Sequence, residues 1–238
     1  MQIKLSLSPR IIALRLTIGV IIFAVISTGI QISKYVYDKR ADWMDTFNLD
    51  REMNLPTWYS ALMLAFCAVL LGIIAAGKKT EGNRYHHHWK LLATIFWFLA
   101  IDEVLTIHEV LIIPEVAEFL RLPWFLHSMW VIPATILVAL FIKKYWRFTQ
   151  QLPAQSRYHF ILAAAIYIGG ALVMEMIGSH YAEFDGQQRL TYALIATAEE
   201  IMEMMGTIIF IYGLLTYIRQ WANNLQLQIN IADSQKRM

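Results

Sequence analysis

The residues of this chain that are capable of chemistry lie inside its most apolar segments. The stretch AIDEVLTIHEV, residues 100–110, carries three acids and a histidine directly after the apolar run LLATIFWFL. A second stretch, TAEEIMEMMG at 197–206, contains three glutamates. A charged side chain at the centre of a bilayer costs ~3 kcal/mol on insertion scales, so acids in such segments need a neutralising partner.

Basic side chains supply too few of these partners, because Arg15 is the only Lys or Arg that falls clearly within an apolar segment. Carboxylates together with imidazoles form a mixed oxygen and nitrogen ligand set that suits iron, manganese or zinc. We therefore predict a divalent metal as cofactor, bound by an acidic cluster in the outer half of a helix bundle. The candidate ligands are Asp102, Glu103, His108, Glu109, His127, Glu175, Glu199 and Glu203.

The spacing of these residues matches no established metal motif. The acid and histidine at Glu103 and His108 are five positions apart, whereas four-helix di-iron proteins use Glu-x-x-His. The run YHHHW at 85–89 falls on the opposite side of the predicted membrane and is assigned to the surface. Neither a glycine-rich phosphate loop nor a Gly-x-Ser-x-Gly nucleophile motif is present. The sequence thus indicates metal binding without fixing a reaction or a substrate.

Long apolar helices must position these residues. The chain has 238 residues, of which 58% are hydrophobic and only 16% are charged. The apolar residues are concentrated in blocks of about 20, the length of a membrane-spanning helix. We predict an all-α integral membrane bundle that forms a single domain over residues 1–238. Its six spans are expected at about 11–31, 57–77, 90–112, 124–142, 158–180 and 191–218.

The distribution of basic residues sets the expected orientation. The N-terminal region, the alternate loops 78–90 and 143–157, and the C-terminal tail hold 14 of the 20 Lys and Arg. Cytoplasmic segments of membrane proteins carry this excess. Both termini are therefore expected in the cytoplasm, with a polar tail at 219–238. Pro133 lies inside the fourth predicted span, where we expect a kink.

Helical periodicity predicts that the acids converge. Asp102, Thr106 and Glu109 are spaced by four and seven residues, which places them on one face of a helix. Glu199 and Glu203, like Glu175 and Ser179, repeat the four-residue step. In the predicted topology all three segments bring their acids to a similar depth. Each helix thus offers a polar stripe to a common interior.

Three segments resemble motifs of a group of uncharacterised bacterial multipass membrane proteins. They are FNLDREMNLPTWYS at 47–60, AIDEVLTIHE at 100–109 and AEEIMEMMG at 198–206. The resemblance covers about 45–218 and implies a location in the bacterial inner membrane. It brings no activity, so it assigns no role to any residue.

Three functions remain open at this stage. The leading interpretation is an integral membrane metalloprotein, an enzyme that acts on a lipid or another apolar substrate. The second is a proton- or cation-coupled transporter whose carboxylates bind the coupling ion. The third is a structural or assembly subunit. The expected partners are the bilayer, a lipid substrate and further copies of the chain, whereas a net charge of only +2 gives no indication of nucleic-acid binding.

Overall fold

The computed structural model describes residues 8–184 and 186–222, and the described residues contain helices and no strand. The predicted all-α class is therefore confirmed. The last 16 positions of the predicted polar tail lie outside the described residues. The α-helices are α1 (Pro9–Val36), α2 (Leu55–Thr80), α3 (His86–Leu105), α4 (Pro114–Phe119), α5 (Val131–Gln150), α6 (Ala154–Ile168), α7 (Glu175–Phe184) and α8 (Leu190–Trp221).

Among the described residues, four helical segments are long and apolar enough to cross a membrane, by length and composition. They are α1, α2, the continuous helical rod Ala154–Phe184 and α8. The first two begin with a proline in the first turn, where the missing N–H breaks no helical hydrogen bond. The apolar length of these four segments makes the chain a membrane protein. Helices α3 and α5 have 20 residues each. Charged residues near both ends of α3 and near the C-terminal end of α5 lower their apolar character.

The third predicted span is interrupted near its C-terminal end. Helix α3 stops at Leu105, because Thr106 adopts the left-handed conformation with φ 48°. A short 3-10 turn, Ile107–Leu111, follows. The predicted stripe of Asp102, Thr106 and Glu109 on one continuous helix is therefore wrong. The expected kink at Pro133 is also absent, because Pro133 falls in the first turn of α5, where proline is tolerated.

The rod from Ala154 to Phe184 contains a π-helical segment, Gly169–Met174, between α6 and α7. Such wide turns rotate the residues that follow, and they are frequent at functional sites. The segment packs closely on α8: a Cβ at Gly170 would lie 3.0 Å from the carbonyl oxygen of Glu199 and 3.1 Å from Cγ of Glu203. Gly170 thus permits the approach that brings Glu175 and the α8 glutamates together.

Helix α8 is the central element, and it packs against α1, α2 and α6. Its residues Met204, Ile211 and Leu214 are fully buried against apolar side chains of α2 and α3. A close crossing with α6 depends on Gly206, where a Cβ would lie 2.8 Å from the backbone nitrogen of Tyr167. The outer-facing sides of α1 and α5 remain apolar, as at Val25 (67% exposed) and Leu137 (65%). These sides are suited to lipid.

The segment 48–54 between α1 and α2 is anchored by a buried polar network. The side-chain oxygen of Asn48 accepts hydrogen bonds from Gln31 Nε2 (2.5 Å), Ser27 Oγ (3.3 Å) and the backbone N–H of Asp50 (3.1 Å). Asn54 caps α2 through Thr57 and donates to the carbonyl of Asn48 (2.6 Å). Hydrogen bonds between buried polar groups fix a loop in one conformation, although Gln31 Oε1 and Asn48 Nδ2 have no partner among the described residues. This network holds Asp50 and Glu52 beside the helix bundle.

Candidate functional site: an acid-lined cavity

A cavity of about 300 Å³ lies between α3, α5, the π-helical segment and α8. Nine carboxylic acids and one histidine line it, and the described residues of its lining include no Lys or Arg. Three large aromatic side chains, Trp130, Tyr167 and Tyr192, contribute to the wall. The ionisable lining residues are Asp50, Glu52, Asp102, Glu103, His108, Glu109, Glu175, Glu199, Glu200 and Glu203.

Seven of the eight predicted ligands line this cavity. His127 does not: its ring contacts the carbonyl oxygen of Leu122 at 3.1 Å through Nε2 and the carboxylate of Glu183 at 3.3 Å through Nδ1. An expected depth in the membrane does not determine the direction of a side chain, and the ring of His127 makes its contacts outside the cavity. The seven that line the cavity are Asp102, Glu103, His108, Glu109, Glu175, Glu199 and Glu203.

Asp102 and His108 form a defined pair at the end of α3. The carboxylate of Asp102 accepts the backbone N–H of His108 through Oδ1 and contacts Nδ1 of the same residue through Oδ2, both at 3.0 Å. The left-handed backbone conformation of Thr106 turns the chain so that His108 lies beside Asp102. With Nδ1 occupied, only Nε2 of His108 remains for other partners. The edge of Trp130 packs on the imidazole, with ring centroids 5.1 Å apart.

Glu175 of α7 is tied through Ser128 to the segment that precedes α5. Ser128 donates a hydrogen bond to Glu175 Oε1, and its hydroxyl is 3.0 Å from that of Ser179. A narrow annex of about 70 Å³ opens beside this group and shares Glu175, Tyr192 and Glu199 with the main cavity. The annex extends the cavity along α7 toward its C-terminal end.

Two acids of the 48–54 segment stand at the rim of the cavity. Burial raises the pKa of Asp50 from 3.8 to about 6, against the lowering effect of Lys34 and Arg51. Removal from water, and then the nearby carboxylates of Glu103 and Glu109, raise the pKa of Glu52 from 4.5 to about 7. A carboxyl group with its pKa near neutrality changes charge in the physiological range. We therefore expect the charge of the rim to change with pH.

The prediction of a metalloprotein with a metal-binding cluster of Asp, Glu and His is wrong. Among the residues that the structure describes, no group of three or more His, Cys, Asp or Glu side chains could hold a metal ion. Metal ligands must converge to about 2.0–2.6 Å from a single point. Here the acids are spread around a cavity, and the carboxylates of Asp102 and Glu175 already accept hydrogen bonds from the protein. Residue type and membrane depth indicated proximity but not this convergence.

Sequence reasoning also missed several residues of the site. Glu200 lies about 100° around α8 from Glu199 and was not among the predicted ligands, yet both residues line the cavity, which spans a wide arc of α8. Nothing in the sequence marks Tyr167 and Trp130 as residues of the site, since aromatic residues are common throughout the apolar segments. Asp50 and Glu52 could have been found from the run FNLDREMN, which places two acids and two asparagines directly before a span.

The fold and this cavity define a class of protein: an α-helical membrane protein with ionisable groups collected inside its bundle. Residues 12–218 match the family model described as a domain of unknown function, DUF8692, and the chain belongs to that family. Comparison with curated proteins and with solved structures found no match. The family confirms the resemblance to an uncharacterised group. Neither the fold nor these comparisons support the metalloenzyme or the coupled-transporter interpretation.

Proposed function

We propose that this protein binds a small organic cation, an amine that is protonated at neutral pH, in its acid-lined cavity. The observation that carries the proposal is the lining: nine acids, one histidine and three aromatic side chains around about 300 Å³. Small-molecule sites begin at about this volume. An alkyl ammonium group, with a pKa near 10, remains charged in water at neutral pH.

An ammonium ion is a better ligand for a distributed set of acids than a metal ion is. Its N–H groups donate to carboxylates at about 2.7–2.9 Å in several directions, so the oxygens need not converge on one point. The aromatic faces of Trp130, Tyr167 and Tyr192 attract a cation when they lie within about 6 Å. A bound cation also offsets the mutual repulsion of neighbouring carboxylates such as Glu199, Glu200 and Glu203. Together these features favour an amine over an anion or a neutral ligand.

We further propose the six-span topology in the bacterial inner membrane, with both termini in the cytoplasm. The 20-residue helices α3 and α5 measure about 30 Å each, enough to cross the hydrocarbon core. Lys143, Lys144 and Arg147 lie near the end of α5 that the basic-residue distribution assigns to the cytoplasm. In this orientation the cavity occupies the outer half of the bundle. Its ligand then arrives from the periplasm or from the bilayer.

Calorimetric titration of the purified full chain in a neutral maltoside detergent tests the binding proposal. The probe is phenethylamine, and its neutral control is 2-phenylethanol, which has the same shape but no charge. We expect saturable binding of the amine and affinity at least about tenfold weaker for the alcohol, a difference of about 1.4 kcal/mol. Equal affinities for the two compounds, or no binding of either, would reject an organic-cation site.

A pair of variants ties the binding to the cavity. Glu200→Gln keeps the shape of a lining side chain and removes its charge, so we expect about tenfold weaker amine binding. Glu183→Gln removes an acid that pairs with His127 outside the main cavity, and we expect unchanged binding. Equal losses in the two variants would assign the affinity to general surface charge.

A further inference from the structure

The polar ends of five helices meet at one end of the bundle. The hydroxyl of Tyr145 in α5 donates to the carbonyl oxygen of His88 in α3 at 2.8 Å. The ring of Trp89 in α3 contacts that of Tyr217 in α8, with centroids 5.0 Å apart. The loops from α2 to α3 and from α5 to α6 lie at the same place. These helix ends comprise residues 78–90, 143–159 and 217–222, which we call the basic end.

The basic end contains nine Lys and Arg residues and one acid, Glu81. Both oxygens of Glu81 are occupied: Oε2 accepts from Nζ of Lys78 at 2.9 Å, and Oε1 accepts from the indole N–H of Trp221 at 2.6 Å. Among the described residues, no ion pair joins the other eight cations to a carboxylate. The eight are Lys79, Arg84, Lys90, Lys143, Lys144, Arg147, Arg157 and Arg219. They are available to an anionic partner from outside the chain.

The densest part of this charge lies near the C-terminal end of α5. Lys143, Lys144 and Arg147, which we call the cationic patch, are all exposed. Helical spacing places Ile136, Leu140, Lys143 and Arg147 on one face of α5, within an arc of about 60°. The side chains of Ile136 and Leu140 are 57% and 58% exposed. An exposed apolar strip therefore leads directly to a pair of cations.

Two neighbouring features indicate the depth and the width of the cationic patch. Trp146 lies between its residues in sequence and is 62% exposed. Exposed tryptophans are typical of the head-group level of a membrane. On the side toward α3, Lys144 and the exposed His87 both lie close enough to act electrostatically on the imidazole of His88. We therefore expect the patch at the depth of the lipid phosphates, with α3 adding to its positive charge.

We propose that the cationic patch binds an anionic phospholipid of the surrounding bilayer. The phosphate lies between Lys143 and Arg147, whose N–H groups donate charge-assisted hydrogen bonds, and an acyl chain lies along Ile136 and Leu140. A soluble phosphate would leave this apolar strip uncovered. A zwitterionic lipid gains less, because the basic end offers its ammonium group one acid, Glu81, which is already paired.

Native mass spectrometry of the full chain, released from a neutral detergent, tests this site. The probes are dioleoyl-phosphatidylglycerol, which is anionic, and dioleoyl-phosphatidylcholine, which has the same chains and no net charge. We expect the first phosphatidylglycerol to bind about tenfold or more tightly than phosphatidylcholine, because each Lys or Arg near the membrane surface favours an anionic lipid. Lys143→Gln combined with Arg147→Gln should reduce this preference about tenfold.

The matched control is Lys79→Gln combined with Arg219→Gln, which removes two exposed cations from other helices of the basic end. This control should leave the preference unchanged. Equal binding of the two lipids to the parent would reject an anionic-lipid site. Equal losses in the two double variants would assign the preference to net charge and reject the site on α5. Displacement of the lipid by an excess of glycerol 3-phosphate would show that the ligand is a soluble phosphate instead.

These outcomes are separate from those of the proposed function. The inference rests on the proposed position of α5 in the bilayer and is independent of the amine site. Reporter fusions near residues 117 and 150 test that position, and phenethylamine titration tests the amine site. If the fusions place α5 across the membrane and phosphatidylglycerol has no advantage over phosphatidylcholine, this inference alone fails.

Discussion

At the scale of single residues, the acids at the cavity rim couple folding to pH. Glu52 has a pKa of about 7 in the folded chain and 4.5 as its ordinary value. A carboxyl group whose pKa is raised by folding contributes stability that is fully present below the ordinary pKa and is lost as the pH rises through the folded value. The same relation applies to Asp50, whose ordinary pKa is 3.8 and whose pKa in the folded chain is about 6.

We therefore predict that the ligand-free protein unfolds at a lower temperature at pH 8 than at pH 5. Glu52→Gln should reduce this difference, because the amide does not ionise. Thermal unfolding in detergent at a series of pH values measures the effect, with Glu183→Gln as the control acid outside the main cavity. A pH dependence that is the same in parent and Glu52→Gln would contradict the role of this carboxyl.

Asp102 supports a second residue-scale prediction. Its carboxylate holds the turn 106–108 through two contacts of 3.0 Å, one to the backbone N–H and one to the imidazole of His108. Asp102→Ala should lower the free energy of unfolding by roughly 1–3 kcal/mol, because it leaves both groups without their acceptor. Asp102→Asn retains one acceptor oxygen and should lose less. Denaturant unfolding of the three proteins measures the order, and equal stability would show that this pair does not hold the turn.

At the scale of helices, the crossing of α6 and α8 depends on the absence of a side chain at Gly206. A Cβ there would lie 2.8 Å from the backbone nitrogen of Tyr167 and 3.0 Å from the carbonyl oxygen of Ala163, and backbone atoms cannot move aside as a flexible side chain can. Gly206→Ala should destabilise the protein by roughly 1–3 kcal/mol through overpacking.

The matched control for this prediction is Gly72→Ala in α2. A Cβ at Gly72 would meet nothing within 4 Å, so alanine should leave stability unchanged or raise it by roughly 0.5–1 kcal/mol through its better helix propensity. Thermal unfolding of the two variants gives the comparison. Similar effects of the two substitutions would mean that the α6–α8 crossing tolerates a wider spacing.

Helix periodicity and membrane depth predicted much of this arrangement. The apolar blocks predicted the helices, and the positions of Glu175, Glu199 and Glu203 predicted a common interior, where the structure places them. The end of α3 could not be predicted, because a left-handed Thr106 is a rare conformation that depends on the Asp102 contacts. The π-helical segment changes the face of the residues after Gly169, which a fixed angle per residue cannot represent.

The metal prediction failed for a different physical reason. Sequence spacing gives the face and the depth of a side chain, but a metal site requires several oxygens or nitrogens to approach one point within a few tenths of an ångström. The cavity instead separates its acids. Glu200 illustrates the same limit, since it lies about 100° from Glu199 on α8 and still reaches the cavity.

At the scale of the whole molecule, the proposed topology places both termini and the residues near 85 and 150 in the cytoplasm. Reporter fusions at these positions should report the cytoplasm, and fusions near 45, 117 and 186 should report the periplasm, because basic residues are retained on the cytoplasmic side. A pattern of four spans, with α3 and α5 on one side of the membrane, would contradict the six-span proposal. A fully reversed pattern would move the cavity to the cytoplasmic half.

The central claim is that the acid-lined cavity holds an organic ammonium ion. The most direct measurement is a crystal structure of the full chain with 4-bromophenethylamine, in which anomalous scattering locates the bromine and the electron density locates the ammonium nitrogen. We predict the nitrogen at about 2.7–2.9 Å from carboxylate oxygens of the α8 glutamates, with the bromine inside the same cavity. An amine found only on the outer surface, or a cavity without the amine at a saturating concentration, would contradict the account.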